Sequence, residues 1–153
     1  MVNTKAYFDT SALLKLYYEE NGSREVIAKA SSFSSLLLGF VGEMELRNSL
    51  RVLQGRGFVY AEELVQLLAC VNQDLDSGRL QRVRLDPVEI ETTCFRLSEQ
   101  YASQLLCRTL DILHVATATI IGVNTFVTCD HRQANLAHEV GLHLHYIDLN
   151  KTA

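Results

Sequence analysis

Phe8-Asp9-Thr10-Ser11 is the stretch whose reading decides the fold. Before it, Ala6-Tyr7-Phe8 reads as an apolar strand; after it, Ala12-Leu13-Leu14-Lys15-Leu16-Tyr17 reads as the first turns of a helix. An aspartate at the carboxyl end of a strand, followed by hydroxyl side chains and a helix, stands where open α/β sheets bind their ligands. The simpler account of Asp9 or Thr10 is a helix cap, an oxygen accepting from an otherwise unpaired backbone N–H. Whether Asp9 is more than a cap depends on other carboxylates able to meet it.

The same arrangement recurs late in the chain. Val123 to Cys129 reads as a central strand ending in Thr128-Cys129-Asp130, and a helix follows from His131 to Val140, closed by Gly141. Ser35-Leu36-Leu37-Leu38 is a continuous apolar run of buried-strand length, which suits a parallel sheet covered on both faces. Leu80–Leu85 and Leu142–Ile147 read as further short strands.

Helices are expected over about Ser11–Glu19, from a Ser23 cap to Ala30, and over Phe40–Gln54 and Ala61–Asp76. Another starts at Pro87 behind the Asp86 cap and runs to about Leu105, with Val88, Ile90, Cys94, Leu97 and Tyr101 as its apolar positions. Arg108–Gly122 is apolar nearly all round, the mark of a buried helix, and Asp111 is the exception in its first turn. This alternation predicts one domain over residues 1–153, a three-layer α/β/α fold with a mostly parallel central sheet of four to five strands.

Composition narrows the function. The chain has 153 residues, 48% hydrophobic and 21% charged, which is globular chemistry. Its apolar runs end too early to span a bilayer. Met1-Val2-Asn3-Thr4-Lys5 lacks the apolar core of a signal peptide, so a cytoplasmic location is expected. Cys70, Cys94, Cys107 and Cys129 form no CxxC and read as small buried hydrophobes in a reducing compartment. The histidines match no zinc spacing. A formal net charge of −4 with no basic run argues against simple neutralisation of phosphates by Lys and Arg. An acidic chain can act on phosphates when divalent ions supply the positive charge.

Four acids occupy matching positions. Asp9 and Asp130 end strands, Asp111 begins the buried helix, and Glu45 begins the helix after the Leu36–Leu38 strand. Glu43 and Glu45 lie about 200° apart on that helix and cannot share a face. Glu43 precedes Arg47 by four, the favourable order for an ion pair, which leaves Glu45 to point inward. Crowded carboxylates repel unless a cation neutralises them. Oxygen ligands without His or Cys select Mg²⁺ or Mn²⁺, and metal-assisted phosphodiester hydrolysis is the reaction class that fits. A phosphatase or phosphoacceptor with Asp9 as nucleophile would need a second Asp two residues on, where Ser11 stands, or a lysine near the later strands.

Phe8–Tyr17 resembles the opening motif of the PIN domain family. Glu45-Leu46-Arg47-Asn48-Ser49-Leu50 resembles its acidic helix motif, Leu110–Ala118 its third motif, and Val127–Gln133 with Ala137 and Gly141-Leu142 its fourth. The compact single-domain form looks most like toxin ribonucleases of VapC type. The resemblance implies an endoribonuclease dependent on Mg²⁺ or Mn²⁺, with Asp9, Glu45, Asp111 and Asp130 as catalytic, metal-holding residues. It implies Thr10, Ser11 and Thr128 as a supporting shell, RNA as substrate, a homodimer, and inhibition by a cognate antitoxin protein. The alternative is a PIN-like module that binds RNA or protein without cutting.

Overall fold

The structure is a computed structural model and describes residues 5–151. The expectation drawn from Met1–Thr4 lies outside the described residues. The elements run β1 (Lys5–Phe8), α1 (Thr10–Tyr17), α2 (Ser23–Ala30), β2 (Ser35–Leu38), α3 (Phe40–Gly55), α4 (Ala61–Asp76) and β3 (Leu80–Arg82). They continue with α5 (Pro87–Leu105), α6 (Thr109–Ile121), β4 (Thr125–Thr128), α7 (His131–Glu139) and β5 (Leu144–Tyr146).

The five strands form one sheet in the order β3-β2-β1-β4-β5, every pairing parallel. The α/β fold with a parallel sheet is therefore as expected. Side chains alternate across β1, so Ala6 and Phe8 enter one core with Leu13, Leu36, Leu38, Leu46 and Leu50. Tyr7 enters the opposite core with Leu97, Ile112, Val115, Phe126 and Leu136. Burial on both faces explains why β1 and β2 are apolar runs instead of alternating ones.

Register positions the site. Phe8 lies opposite Val127, and the Asp9 N–H donates to the Val127 carbonyl at 3.1 Å, so Asp9 and Thr128 emerge side by side at the carboxyl edge. β1 sits at the centre of the sheet, where the crossovers on its two sides part, which is the switch point that favours ligand sites.

Several local expectations are corrected. Ser23 does not cap α2. Gly22 does, with a φ of +86°, while the Ser23 hydroxyl accepts from the Glu20 N–H at 2.9 Å. β3 stops at Arg82 instead of reaching Leu85, β4 begins at Thr125, and β5 covers only Leu144–Tyr146. Val88 is exposed, because α5 turns Leu97 fully inward and leaves the first apolar position on its outer side. Of the cysteines only Cys129 is buried; Cys70 is exposed on α4, and all four are free thiols. Among the described residues no helix is long and apolar enough to cross a membrane.

Candidate functional site

Asp9 is wholly buried and does cap α1: its Oδ1 accepts the Ala12 N–H at 3.0 Å. Capping uses only part of the carboxylate. Ser11 Oγ donates to it at 2.7–2.9 Å, and Thr128 Oγ1 donates to Oδ2 at 2.8 Å. Those two hydroxyls also accept backbone N–H groups, Ser11 from Cys129 at 3.0 Å and Thr128 from Asp130 at 2.9 Å. Each therefore fixes Asp9 relative to the start of α7. Burial pushes the Asp9 carboxyl pKa upward, against the pull of His114 and of the bonds from Ser11, Thr128 and Ala12. A buried carboxyl so perturbed is a candidate functional group.

Asp130 caps α7 in the same divided manner. Oδ1 accepts the Arg132 and Gln133 N–H groups at 2.8 and 3.2 Å, and Oδ2 faces Arg108 Nη2 at 3.4 Å. Asp111 is almost wholly buried in the first turn of α6, where its Oδ2 accepts the Arg108 N–H at 2.8 Å. Arg108 Nε also reaches that oxygen, and Gln133 Nε2 reaches Oδ1, both at 3.4 Å. One guanidinium thus bridges Asp111 and Asp130. The Gln133 Oε1 beside them is buried with no hydrogen-bond partner among the described residues.

Glu45 joins from α3. Its Oε2 accepts from Thr10 Oγ1 at 2.7 Å and lies 2.5 Å from His114 Nε2. The imidazole is buried, and its Nδ1 meets the Tyr7 hydroxyl at 2.7 Å. Burial pushes the Tyr7 hydroxyl pKa far up, and the charges of Asp9 and Glu45 add to it, so the phenol keeps its proton. A carboxylate only accepts, so His114 Nε2 donates to Glu45, and the bond to Tyr7 fixes the other side of the ring. Burial opposes ionisation of Glu45, but the bonds from His114 and Thr10 outweigh it and hold the carboxyl below its ordinary range.

Glu43 turns elsewhere, to Arg47 at 2.9 Å and to both Nε and Nη2 of Arg82 at 2.6 and 2.8 Å. The helical angle between the two glutamates is what separates them.

Asp9 with Ser11 and Thr128 thus forms one hydrogen-bonded group, Glu45 with Thr10 and His114 forms a second, and Asp111 and Asp130 share Arg108. The oxygen-only donor set fits a hard divalent cation by chemistry. Among the described residues, no three Asp, Glu, His or Cys side chains are drawn together closely enough to hold an ion. Arg108, His114, Tyr7 and Gln133 escaped the sequence reading. The spacing Asp111-x-x-His114 was the one available signal, since it puts both residues on one face of a buried helix.

No curated protein matches this sequence. Among solved structures, the chain is similar to FitAcB from Neisseria gonorrhoeae, with a TM-score of 0.66 at 17% identity over 91% of this chain and 95% of that one. It is also similar to VapBC2 from Rickettsia felis, solved bound to a DNA fragment from its promoter, with a TM-score of 0.67 at 12% identity over 95% of this chain and 100% of that one. At such identities the likeness is one of fold. The sequence itself matches the PIN domain over residues 6–139, a span that runs from β1 through α7 and takes in all four acids, and on that ground the chain belongs to the PIN domain family.

Proposed function

We propose that this chain is a metal-dependent endoribonuclease and the toxin of a type II toxin–antitoxin pair, with Mg²⁺ or Mn²⁺ held by Asp9, Glu45, Asp111 and Asp130. One observation carries the reading: Asp9, the most buried of the acids, is fixed by Ser11 and Thr128, hydroxyls that also anchor the backbone leading to Asp130. A carboxylate held that firmly at the carboxyl edge of a parallel sheet is pre-organised for a ligand. When bound, the ion lowers the pKa of its water and neutralises phosphate oxygens. Thr10 and His114 orient Glu45, and Ser11 and Thr128 orient Asp9. With a net charge of −4 the chain lacks the positive charge for phosphate, which supports a cation as part of the site.

The partners in this reading are RNA as substrate, an antitoxin protein as inhibitor and a second copy of the chain, in the cytoplasm. Support for a protein partner comes from an apolar cleft of about 410 Å³ lined by Val41, Val83, Pro87 and Leu113, with Phe40 and Val88 exposed nearby. The test is cleavage of RNA by purified, partner-free protein with Mn²⁺, beside Asp9→Asn. Loss of cutting in the variant with an unchanged circular dichroism spectrum is expected. Cutting by Asp9→Asn at the parent rate would overturn the assignment. Parent protein that binds RNA and Mn²⁺ without cutting would favour the non-catalytic module.

A further inference from the structure

Arg108 stands at the junction between α5 and α6 with an extended backbone, φ −89° and ψ 163°. Its backbone N–H secures Asp111, and its side chain is 64% exposed, so the guanidinium lies over the acids from the solvent side. Both side-chain contacts are 3.4 Å, well beyond the 2.7–2.9 Å of a tight charge-assisted bond. The cation touches Asp111 and Asp130 and lies within electrostatic reach of Glu45. Asp111 and Asp130, buried or half-buried and both acidic, would otherwise repel one another with no counter-charge among them.

We propose that Arg108 is a built-in counter-cation that a divalent ion displaces from Asp111 and Asp130, and that the displaced guanidinium then binds a phosphate oxygen of the RNA. The inference rests on the nuclease reading above. A guanidinium and a divalent ion cannot both lie between the same two carboxylates. Loose contacts, an exposed stem and a backbone bond that holds Asp111 independently of the side chain all let the arginine leave without disturbing α6. The guanidinium fork suits phosphate, and it lies exposed beside the acids that a phosphate must approach.

The test is calorimetric titration with Mn²⁺ alone on the parent protein, Arg108→Ala and Arg108→Lys, together with steady-state RNA cleavage. Arg108→Ala keeps the backbone bond to Asp111, so folding is preserved. It is expected to bind Mn²⁺ about three- to tenfold more tightly while its KM for RNA rises by about the same factor. Arg108→Lys retains a competing charge and is expected to hold metal affinity near the parent value, with KM restored only in part. A merely structural arginine would not tighten metal binding when removed. Unchanged or weaker Mn²⁺ binding by Arg108→Ala, in a parent that binds Mn²⁺ and cuts RNA, overturns the role of Arg108 and leaves the nuclease standing. If neither the parent nor Arg108→Ala binds Mn²⁺ or cuts RNA, both readings fall.

Discussion

His114 Nε2 lies 2.5 Å from Glu45 Oε2, inside a line of bonds that runs from the buried Tyr7 hydroxyl through Glu45 to Thr10. Polar partners beyond the first layer of a site set the orientation of its ligands, and their loss costs about 10- to 100-fold in affinity or activity. His114→Ala is therefore expected to lower kcat for RNA cleavage within that range. Tyr7→Phe strands His114 Nδ1 in the core and is expected to destabilise the fold by about 1–3 kcal/mol in urea denaturation. Parent-like kcat in His114→Ala would remove the relay from the mechanism.

Divalent metal should stabilise the fold as well as activate it, because an ion that binds only the native state adds to its stability. At a hundred times Kd the gain is about 2.7 kcal/mol, which for a chain of this size raises Tm by roughly 5–10 °C. Asp9→Asn and Asp130→Asn each remove one candidate ligand, and both are expected to flatten the response of Tm to Mn²⁺. Differential scanning calorimetry with and without Mn²⁺ checks this directly. An equal rise in all three proteins would place the ion away from these acids.

The positions of Asp9 and Asp130 were legible because strand, acid and helix follow one another in the sequence, and a parallel sheet brings strand ends to one edge. Glu45 was separable from Glu43 by helical angle together with the four-residue spacing of Glu43 to Arg47. Arg108 and His114 were not legible, because their roles come from partners 22 and 69 residues away. The cap and ligand accounts of Asp9 are compatible, because the carboxylate has two oxygens and accepts the cap bond with one while Thr128 reaches the other. Strand ends differ where half-buried apolar residues such as Leu85 and Val123 lie outside the paired segments of β3 and β4. Periodicity reports burial, and burial extends beyond hydrogen-bonded pairing.

The two glutamates of α3 should separate in experiment. Glu45→Gln is expected to cost more than 10-fold in cleavage with little change in Tm. Glu43→Gln is expected to leave cleavage near the parent rate and lower Tm at pH 7 by about 2 °C. Bonding to Arg82, helped by Arg47 against the cost of burial, holds the Glu43 carboxyl below its usual 4.5. Its folded pKa is depressed, so its stabilisation is present above the unfolded value and fades as pH falls through the folded one. The Tm difference between parent and Glu43→Gln should therefore shrink below about pH 4. A difference that grows with acid would contradict the Arg82–Glu43 pairing.

Cys129, between Thr128 and Asp130, offers a probe of the site's integrity that needs no substrate. Burial, with the charge of Asp9 behind it, pushes the thiol pKa up to about 11. At pH 8 only about one molecule in a thousand then carries the reactive thiolate. Cys70 is exposed on α4 and should react with iodoacetamide within minutes in the native protein, while Cys129 stays unmodified. Raising the pH toward 10 should speed Cys129 labelling in proportion to the thiolate, about tenfold per pH unit. In urea the two cysteines should label at similar rates. Peptide mass spectrometry after timed labelling reads each site separately, and native Cys129 labelling as fast as Cys70 would mean that the β4 end opens to solvent, leaving Thr128 unable to hold Asp9 in place.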